Sequence, residues 1–171
     1  MATFQASLRT LSNSRVALAQ VVSELNRYAC SNSQGGARFT TAFLAELDPA
    51  TGELAYVNAG HNVPILRRRS GVVERPGVGG IPIGVLADAT YEMGTTRLDS
   101  GDWLVIFTDG MVEAVNAKGE EYDEPRLVRV VDRGCGSPPG ELLSSLLAEL
   151  DVFVGNTPQH DDMTCLLLKR G

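Results

Sequence analysis

The chain has 171 residues, of which 43% are hydrophobic and 21% are charged, a composition typical of a water-soluble globular protein. Its formal net charge of -6 argues against nucleic acid as a partner, because the phosphate backbone selects basic surfaces. No apolar run approaches the roughly 18 residues of a membrane span, the amino terminus lacks a signal-peptide pattern, and the three cysteines form no CxxC pair. We therefore predict a cytoplasmic protein of one domain, residues 1–171, with reduced thiols and no membrane partner.

The first predicted element is a helix over residues 3–29, where apolar residues recur at spacings of three and four. Alternating apolar and polar residues over 38–48, followed by a returning strand at 53–58, predict a β-hairpin. A second hairpin is predicted from strands at 64–69 and 72–75. Together these four strands indicate an antiparallel meander.

The middle of the chain contains a glycine-rich stretch followed by two predicted strands. Residues 77–85 (GVGGIPIGV) contain four glycines and are predicted to form a loop, and a further strand is predicted at 91–98. Residues 103–107 (WLVIF) are apolar on both faces, which is typical of a central strand that is covered on both sides.

The last part of the chain predicts two helices, near 124–133 and 140–154, and a final apolar strand at 163–169. The second helix follows Ser-Pro-Pro, which favours a helix start. Strands first and helices late indicate an α+β domain built on an antiparallel sheet or sandwich.

Neither histidine indicates a catalytic centre. His61 lies in a Gly-Asn turn and His160 in a polar loop, so a turn or surface role fits both better than a metal site or a Ser-His-Asp arrangement. The basic run Arg67-Arg68-Arg69 lies beside a Ser-Gly turn and is read as a solvated strand end more readily than as a docking patch.

The acidic side chains are better candidates for a functional site than the histidines. The apolar strand ends in Thr108-Asp109-Gly110, and Asp161-Asp162 precedes the final strand. Two adjacent aspartates repel each other unless a cation is near, so a bound divalent ion is one explanation. We expect one of the pair to face the same cavity as Asp109, because successive strand residues face opposite ways, and the other to reach a second ion or to cap the backbone. Gly110, which has no side chain, permits close approach of the backbone to an ion.

The donor atoms decide which ion is predicted. Carboxylate oxygens are hard ligands, which indicates Mg²⁺ or Mn²⁺ rather than zinc. The alternative is that both acidic stretches are solvated turns, since Asp-Gly is also a common turn dipeptide.

Four longer segments occur in order along the chain: TTAFLAELDPATGELAYVNAGHNVPIL, GGIPIGV, GDWLVIFTDGMVEA and HDDMTCLLLK. In this order they resemble the bacterial metal-dependent protein phosphatases of the PPM (type 2C) superfamily, in particular the sporulation stage II protein E and sigma-B regulator U type. The resemblance covers roughly residues 37–169. It implies the superfamily's α/β/β/α fold, an antiparallel β-sandwich flanked by helices.

The resemblance also implies a site. Asp109, Gly110 and Asp161 would contribute to a dinuclear Mn²⁺ or Mg²⁺ centre, and Asp162 occupies an adjoining position where relatives often have Asn. No catalytic residue is implied beyond the metal ligands, because a water held by the two ions attacks the phosphorus of phosphoserine or phosphothreonine. The implied substrate is a phosphorylated bacterial signalling protein, such as an anti-sigma-factor antagonist.

One part of the implied site has no counterpart here. The superfamily takes further metal ligands from an amino-terminal hairpin, and no aspartate precedes Asp48 in this sequence. We therefore expect a domain without its amino-terminal strands, which binds at most one ion weakly, has little or no activity alone, and forms a homodimer through an unpaired sheet edge. Two alternatives stay open: a pseudophosphatase that binds a phosphoprotein, and a metal-free β-sandwich interaction module.

Overall fold

The structure is a computed structural model that describes residues 17–32 and 39–171. The chain divides into two compact units. The first comprises the described residues up to His61 together with Pro76–Arg97, and the second comprises Asn62–Arg75 and Leu98–Gly171. The single domain over residues 1–171 stays a prediction. Among the described residues, no helix combines the length and the apolar character needed to cross a membrane.

The elements in chain order are α1 (Leu18–Asn32), β1 (Ala42–Leu47), β2 (Glu53–Ala59), β3 (Ile65–Arg67), β4 (Val73–Glu74), β5 (Gly79–Gly80), β6 (Gly94–Arg97), β7 (Trp103–Phe107), α2 (Asp109–Val112), α3 (Glu124–Gly134), α4 (Pro139–Val154) and β8 (Cys165–Lys169).

The first unit packs α1 against the sheet that contains β1 and β2. The predicted helix is confirmed over its described part and continues to Asn32, whereas residues 3–16 of that prediction lie outside the described residues. Side chains from the helix, from β2 and from the segment between β5 and β6 form one apolar core: Val22, Val57, Ala59, Ile83 and Tyr91. Asn26 is fully buried. Its amide donates to the carbonyl of Leu86 at 2.8 Å and accepts from the N–H of Gly84 at 2.8 Å.

The predicted meander is wrong, although both predicted hairpins form. β1 and β2 pair antiparallel, with Leu47 opposite Leu54, and β3 pairs antiparallel with β4. The other antiparallel neighbour of β2 is β6, however, while β3 and β4 belong to the sheet of the second unit. The chain leaves the first sheet at Gly60, whose φ is +71°. The strand predicted at 91–98 pairs only over Gly94–Arg97.

The glycine-rich stretch is also not purely a loop. Gly79 and Gly80 form β5, a two-residue strand that pairs in parallel with the end of β2. A Cβ on Gly79 would lie 1.9 Å from the carbonyl oxygen of Asn58, so only glycine lets the two backbones approach this closely. Glycine content predicted a loop, and the structure uses Gly79 and Gly80 for strand pairing.

The second unit places two helices on one four-stranded sheet, whose strand order is β4-β3-β7-β8. β7 lies inside this sheet, as its apolar sequence predicted, and pairs antiparallel with β3 and β8. Trp103, Val105 and Phe107 share a core with Leu127 of α3 and Leu146 of α4. The two predicted helices are confirmed, and the predicted α+β class with largely antiparallel sheets is confirmed as well.

An ion-pair network around the buried Asp102 fixes one end of the second sheet. Arg68 donates to both carboxylate oxygens of Glu74 at 2.7 Å and to Oδ2 of Asp102 at 2.8 Å. The Asp102 carboxylate also accepts the backbone N–H groups of Arg69 at 2.8 Å and of Asp99 at 3.0 Å. Arg67 pairs with Asp132 at 2.8 Å. Arg67 and Arg68 are thus tied into the fold, and the predicted solvated strand end is wrong for these two residues, whereas Arg69 is exposed.

The charge on Asp102 should stabilise the folded state. Burial would raise the pKa of Asp102, but the hydrogen bonds from Arg68 and from the two backbone N–H groups outweigh it and hold the pKa below its ordinary value. Because the folded pKa is the lower one, this stabilisation is present above about pH 4 and is lost as the pH falls through the folded value.

We expect Asp102→Ala to lower the free energy of unfolding by about 2–4 kcal/mol at neutral pH, since it leaves three donors without their acceptor. Asp102→Asn should cost less, and its difference from the wild type should shrink as the pH falls below about 4. Urea unfolding measured across pH checks both. Asp132→Asn is the control, because Asp132 is the exposed partner of an ion pair and should cost under about 1 kcal/mol. A pH-independent difference for Asp102→Asn would contradict the assigned charge.

Candidate metal centre

The two acidic motifs meet where β7 ends and β8 begins. Phe107 of β7 lies opposite Cys165 of β8, and one residue further on the backbone N–H of Thr108 donates to the carbonyl of Thr164 at 3.1 Å. The Thr108 hydroxyl bonds in both directions: it donates to the carbonyl of Asp162 at 3.0 Å and accepts the N–H of Thr164 at 2.9 Å. These three bonds hold the Thr-Asp-Gly segment beside the Asp-Asp-Met-Thr segment.

Gly110 is a point of contact between the two segments. It is buried, and a Cβ at this position would lie 2.6 Å from the carbonyl oxygen of Asp162 and 3.4 Å from the carbonyl carbon of Asp161. These neighbours are backbone atoms that cannot rotate away, so the site requires a residue with no side chain. The sequence analysis predicted that this glycine permits close approach of the backbone to an ion. In the structure, the group that approaches Gly110 closely is the backbone of Asp162.

Asp109 and Asp161 present their carboxylates to solvent in the same local arrangement. Asp109 begins the short helix α2, and its Oδ1 accepts the N–H of Gly110 at 2.9 Å. Oδ1 of Asp161 accepts the N–H of Asp162 at 2.7 Å, and the amide of Gln159 donates to the Asp161 carbonyl at 2.6 Å. Within the described residues, the second oxygen of each carboxylate accepts no hydrogen bond, and neither group pairs with a protein cation. Each aspartate therefore offers one hard oxygen for a cation.

Only two of the four predicted metal-site residues line the same cleft. Asp161 and Gly110 line one cleft of about 190 Å³, whereas Asp109 and Asp162 are not among its lining residues. Asp162 contributes its backbone carbonyl to Thr108, and its side chain is exposed. In the part of the chain that the structure describes, no group of three or more His, Cys, Asp or Glu side chains is arranged to hold a metal ion. The donor set fits a hard cation in chemistry and supplies only part of a full ligand shell.

Sequence reasoning missed two residues near this centre. Thr108 was read only as part of a Thr-Asp-Gly motif, yet its hydroxyl joins the two segments. Glu113, which follows Asp109 by four residues, lines the cleft beside Asp161. The four-residue spacing on a helical turn was a usable signal for Glu113. No signal in the sequence pairs Thr108 with Thr164.

The histidines take the turn and surface positions that the sequence suggested. The backbone N–H of His61 donates to Oδ1 of Asn58 at 2.8 Å, and the backbone carbonyl of His61 accepts from Nδ2 of Asn58 at 2.9 Å. His160 is exposed and borders the cleft.

Burial disfavours the thiolate form of Cys165, which lies next to the centre. Burial raises the pKa of its thiol to about 11, so at neutral pH it carries almost no thiolate, which is the reactive form. No disulfide joins the three cysteines, all of which lie in the described ranges.

Comparison with solved structures shows the fold. The chain is similar to the SiaA-PP2C domain of Pseudomonas aeruginosa, with a TM-score of 0.82 and 22% identity over 98% of this chain and 66% of that one. It is also similar to RsbX, described in complex with magnesium, with a TM-score of 0.66 and 17% identity over 97% of this chain and 70% of that one. The fold is that of a PPM-type, or PP2C, phosphatase domain.

The family follows from the sequence. The model of the Stage II sporulation protein E (SpoIIE) family matches residues 1–171, and the chain belongs to this family of phosphatase domains. Protein IcfG of Synechocystis sp. is 27% identical over 145 residues, which are 85% of this chain and 23% of IcfG. Phosphoserine phosphatase RsbU of Bacillus subtilis is 25% identical over 152 residues, which are 88% of this chain and 44% of RsbU. The chain thus spans less than half the length of these curated relatives.

We expect Gly110→Ala to destabilise the protein by about 1–3 kcal/mol, because its Cβ would overlap the backbone of Asp162 and force the two acidic segments apart. Thermal unfolding measures the loss. Gly140→Ala is the matched control, because Gly140 also lies in the first turn of a helix and a Cβ there meets nothing within 4 Å. That variant should be neutral or slightly stabilising. Equal behaviour of the two variants would show that the Gly110 contact does not constrain the site.

Proposed function

We propose that this chain is a metal-dependent protein-serine/threonine phosphatase domain that acts on a bacterial signalling protein. One observation carries the proposal: Thr108 and Gly110 bring the Asp109 segment against the Asp161-Asp162 segment at the ends of two neighbouring strands. Membership of the SpoIIE family supports the same function. The chain alone is proposed to have weak activity or none, because the described residues supply only part of a ligand shell.

Each residue of the centre has a proposed task. Asp109 and Asp161 bind the cation through the carboxylate oxygens that no protein donor occupies. Thr108 positions both segments, and Gly110 keeps them in contact. Asp162 contributes through its backbone, and its exposed carboxylate is proposed as a further ligand.

A divalent cation, Mn²⁺ or Mg²⁺, is the proposed cofactor. The oxygen-only donors of the centre favour a hard ion. RsbX is described in complex with magnesium and a SpoIIE phosphatase domain as presoaked with Mn, which supports divalent metal use by this chain. When bound, such an ion lowers the pKa of a coordinated water and offsets the charge of the phosphoryl group.

The proposed substrate is a phosphoserine or phosphothreonine side chain on a protein. RsbU and RsbP of Bacillus subtilis are both described as phosphoserine phosphatases, and RsbU and RsbW domains occur together in one solved structure. By analogy, an anti-sigma-factor antagonist is the proposed substrate class and the cytoplasm the proposed location.

A second function, a non-catalytic pseudophosphatase that binds a phosphoprotein, is favoured by one observation. No three metal-ligating side chains converge among the described residues, and a centre with two carboxylates can hold an ion without activating a water efficiently. Metal binding alone therefore does not distinguish an enzyme from a binding module, and hydrolysis has to be measured beside it.

Titration with Mn²⁺ should give binding heat that depends on Asp109. We expect Asp109→Asn to weaken the affinity by roughly tenfold or more, because it removes the negative charge and one of the two carboxylate oxygens. Asp151→Asn, an exposed control on α4, should leave the affinity unchanged. Release of phosphate from a phosphoserine peptide, measured in the same samples, separates the two functions.

Hydrolysis by the wild type that Asp109→Asn removes would establish the phosphatase. Binding heat without hydrolysis would favour the pseudophosphatase. Heat that is the same in wild type and Asp109→Asn would contradict both metal-binding proposals.

Self-association through β8 is the remaining part of the proposal. Among the described strands, β8 pairs only with β7, at the end of the sheet, and Leu166 on it is 50% exposed. An unpaired strand edge with apolar side chains is a template for pairing with a second copy.

We expect light scattering to show a mass that rises towards the dimer with concentration, and Leu166→Lys to shift it back to the monomer, because a charge on an edge strand opposes pairing. Val152→Lys places the same charge on an apolar residue of α4 that is 83% exposed and should have no effect. A monomer at every concentration would refute the proposed dimer.

A further inference from the structure

The lining of the cleft beside the candidate centre combines apolar and acidic residues. Val154, Met163 and Ala114 are apolar, while Glu113 and Asp161 are acidic. All of these residues belong to the second unit. The cleft contains side chains that binding of a metal ion does not require, so it can serve a separate purpose.

The charge of the cleft is uncompensated. Its lining includes Glu113, Asp161 and His160 but no lysine or arginine. Within the described ranges, the Glu113 carboxylate makes no hydrogen bond and no ion pair. Other acids of the same unit behave differently: Glu74, Asp102 and Asp132 all pair with arginines. The free carboxylate of Glu113 is thus available to a cationic group from outside the unit.

The size of the cleft limits what can enter it. About 190 Å³ is below the roughly 300–1,000 Å³ of pockets that hold small-molecule ligands, and it suits one long side chain. A lysine or arginine has an aliphatic stem that packs on apolar surface and a charged end that needs an acidic partner. The apolar and acidic residues of the lining match these two parts.

We propose that this cleft binds a lysine or arginine that flanks the phosphorylated residue of the substrate, and that Glu113 sets this preference. The inference rests on the proposed phosphatase function, since it places the substrate backbone beside Asp161. The phosphate group itself does not enter the cleft, because the acidic lining residues would repel it. We place the phosphate beside the bound cation.

The test compares phosphoserine peptides that differ only in one flanking residue. A neutral parent peptide is varied by placing lysine or glutamate at each of the three positions before and after the phosphoserine. Binding to the full chain is followed by amide chemical shifts in NMR, in samples without metal and in samples with Mg²⁺. Mg²⁺ is used in place of Mn²⁺ because it is diamagnetic. This readout needs no catalytic turnover.

At one or more positions we expect lysine to bind roughly two- to fivefold more tightly than glutamate, the range of an exposed ion pair, with shifts centred on Glu113 and Met163. Glu113→Gln should abolish this preference, so that the lysine and glutamate peptides bind equally. Glu141→Gln removes the same charge at the other end of α4, roughly 20 Å along the helix from Val154, and should keep the preference.

Two failures are distinguishable. Equal binding of the lysine and glutamate peptides, or a lysine preference that survives Glu113→Gln, would overturn the assignment of the cleft. Failure of the proposed phosphatase function would appear separately, as absent phosphate release and Mn²⁺ heat that is independent of Asp109.

Discussion

The Thr108 hydroxyl group makes two hydrogen bonds, one to the Asp162 carbonyl and one from the Thr164 N–H. Together with the Thr108 backbone bond to Thr164, they extend the β7–β8 ladder beyond the last paired residues. The site depends on this extension, because each acidic loop is otherwise an exposed turn. Because Gly110 has no side chain, the two acidic segments can come into backbone contact. Packing of β7 in the helix-covered core gives the arrangement a rigid base.

The distribution of charge in the second unit sets the acids near this site apart from the others. Arginines neutralise many of its acids through ion pairs: Arg67–Asp132, Arg68–Asp102, Arg68–Glu74, Arg75–Glu124 and Arg133–Glu149. In the described part of the chain, the carboxylates of Asp109, Asp161 and Glu113 have no such partner. Unpaired acids of one sign raise the local concentration of cations. A divalent ion and a basic substrate side chain are the two kinds of cation that the proposals assign to them.

Much of this architecture follows from local sequence patterns. The apolar run at 103–107, the acids at the ends of two apolar strands and the Ser-Pro-Pro helix start each have a local physical cause, and the structure contains each element. Partner choice between strands does not have a local cause. Alternation predicts a strand but not its neighbour, so β3 was placed beside β2 when it pairs with β7. Gly79 was read as a loop residue because nothing local shows that it lies against the Asn58 backbone. The part played by Thr108 depends on a residue 56 positions away.

Anomalous X-ray scattering from a crystal of this chain soaked in excess MnCl₂ tests the central claim most directly, because it locates the ion itself. We predict a manganese peak with carboxylate oxygens of both Asp109 and Asp161 at roughly 2.0–2.3 Å, the range of oxygen ligands to small divalent ions. The Thr108 bonds should be intact in the same map. A fully soaked crystal with no manganese at these aspartates, and with their carboxylates turned away from each other, would contradict this claim.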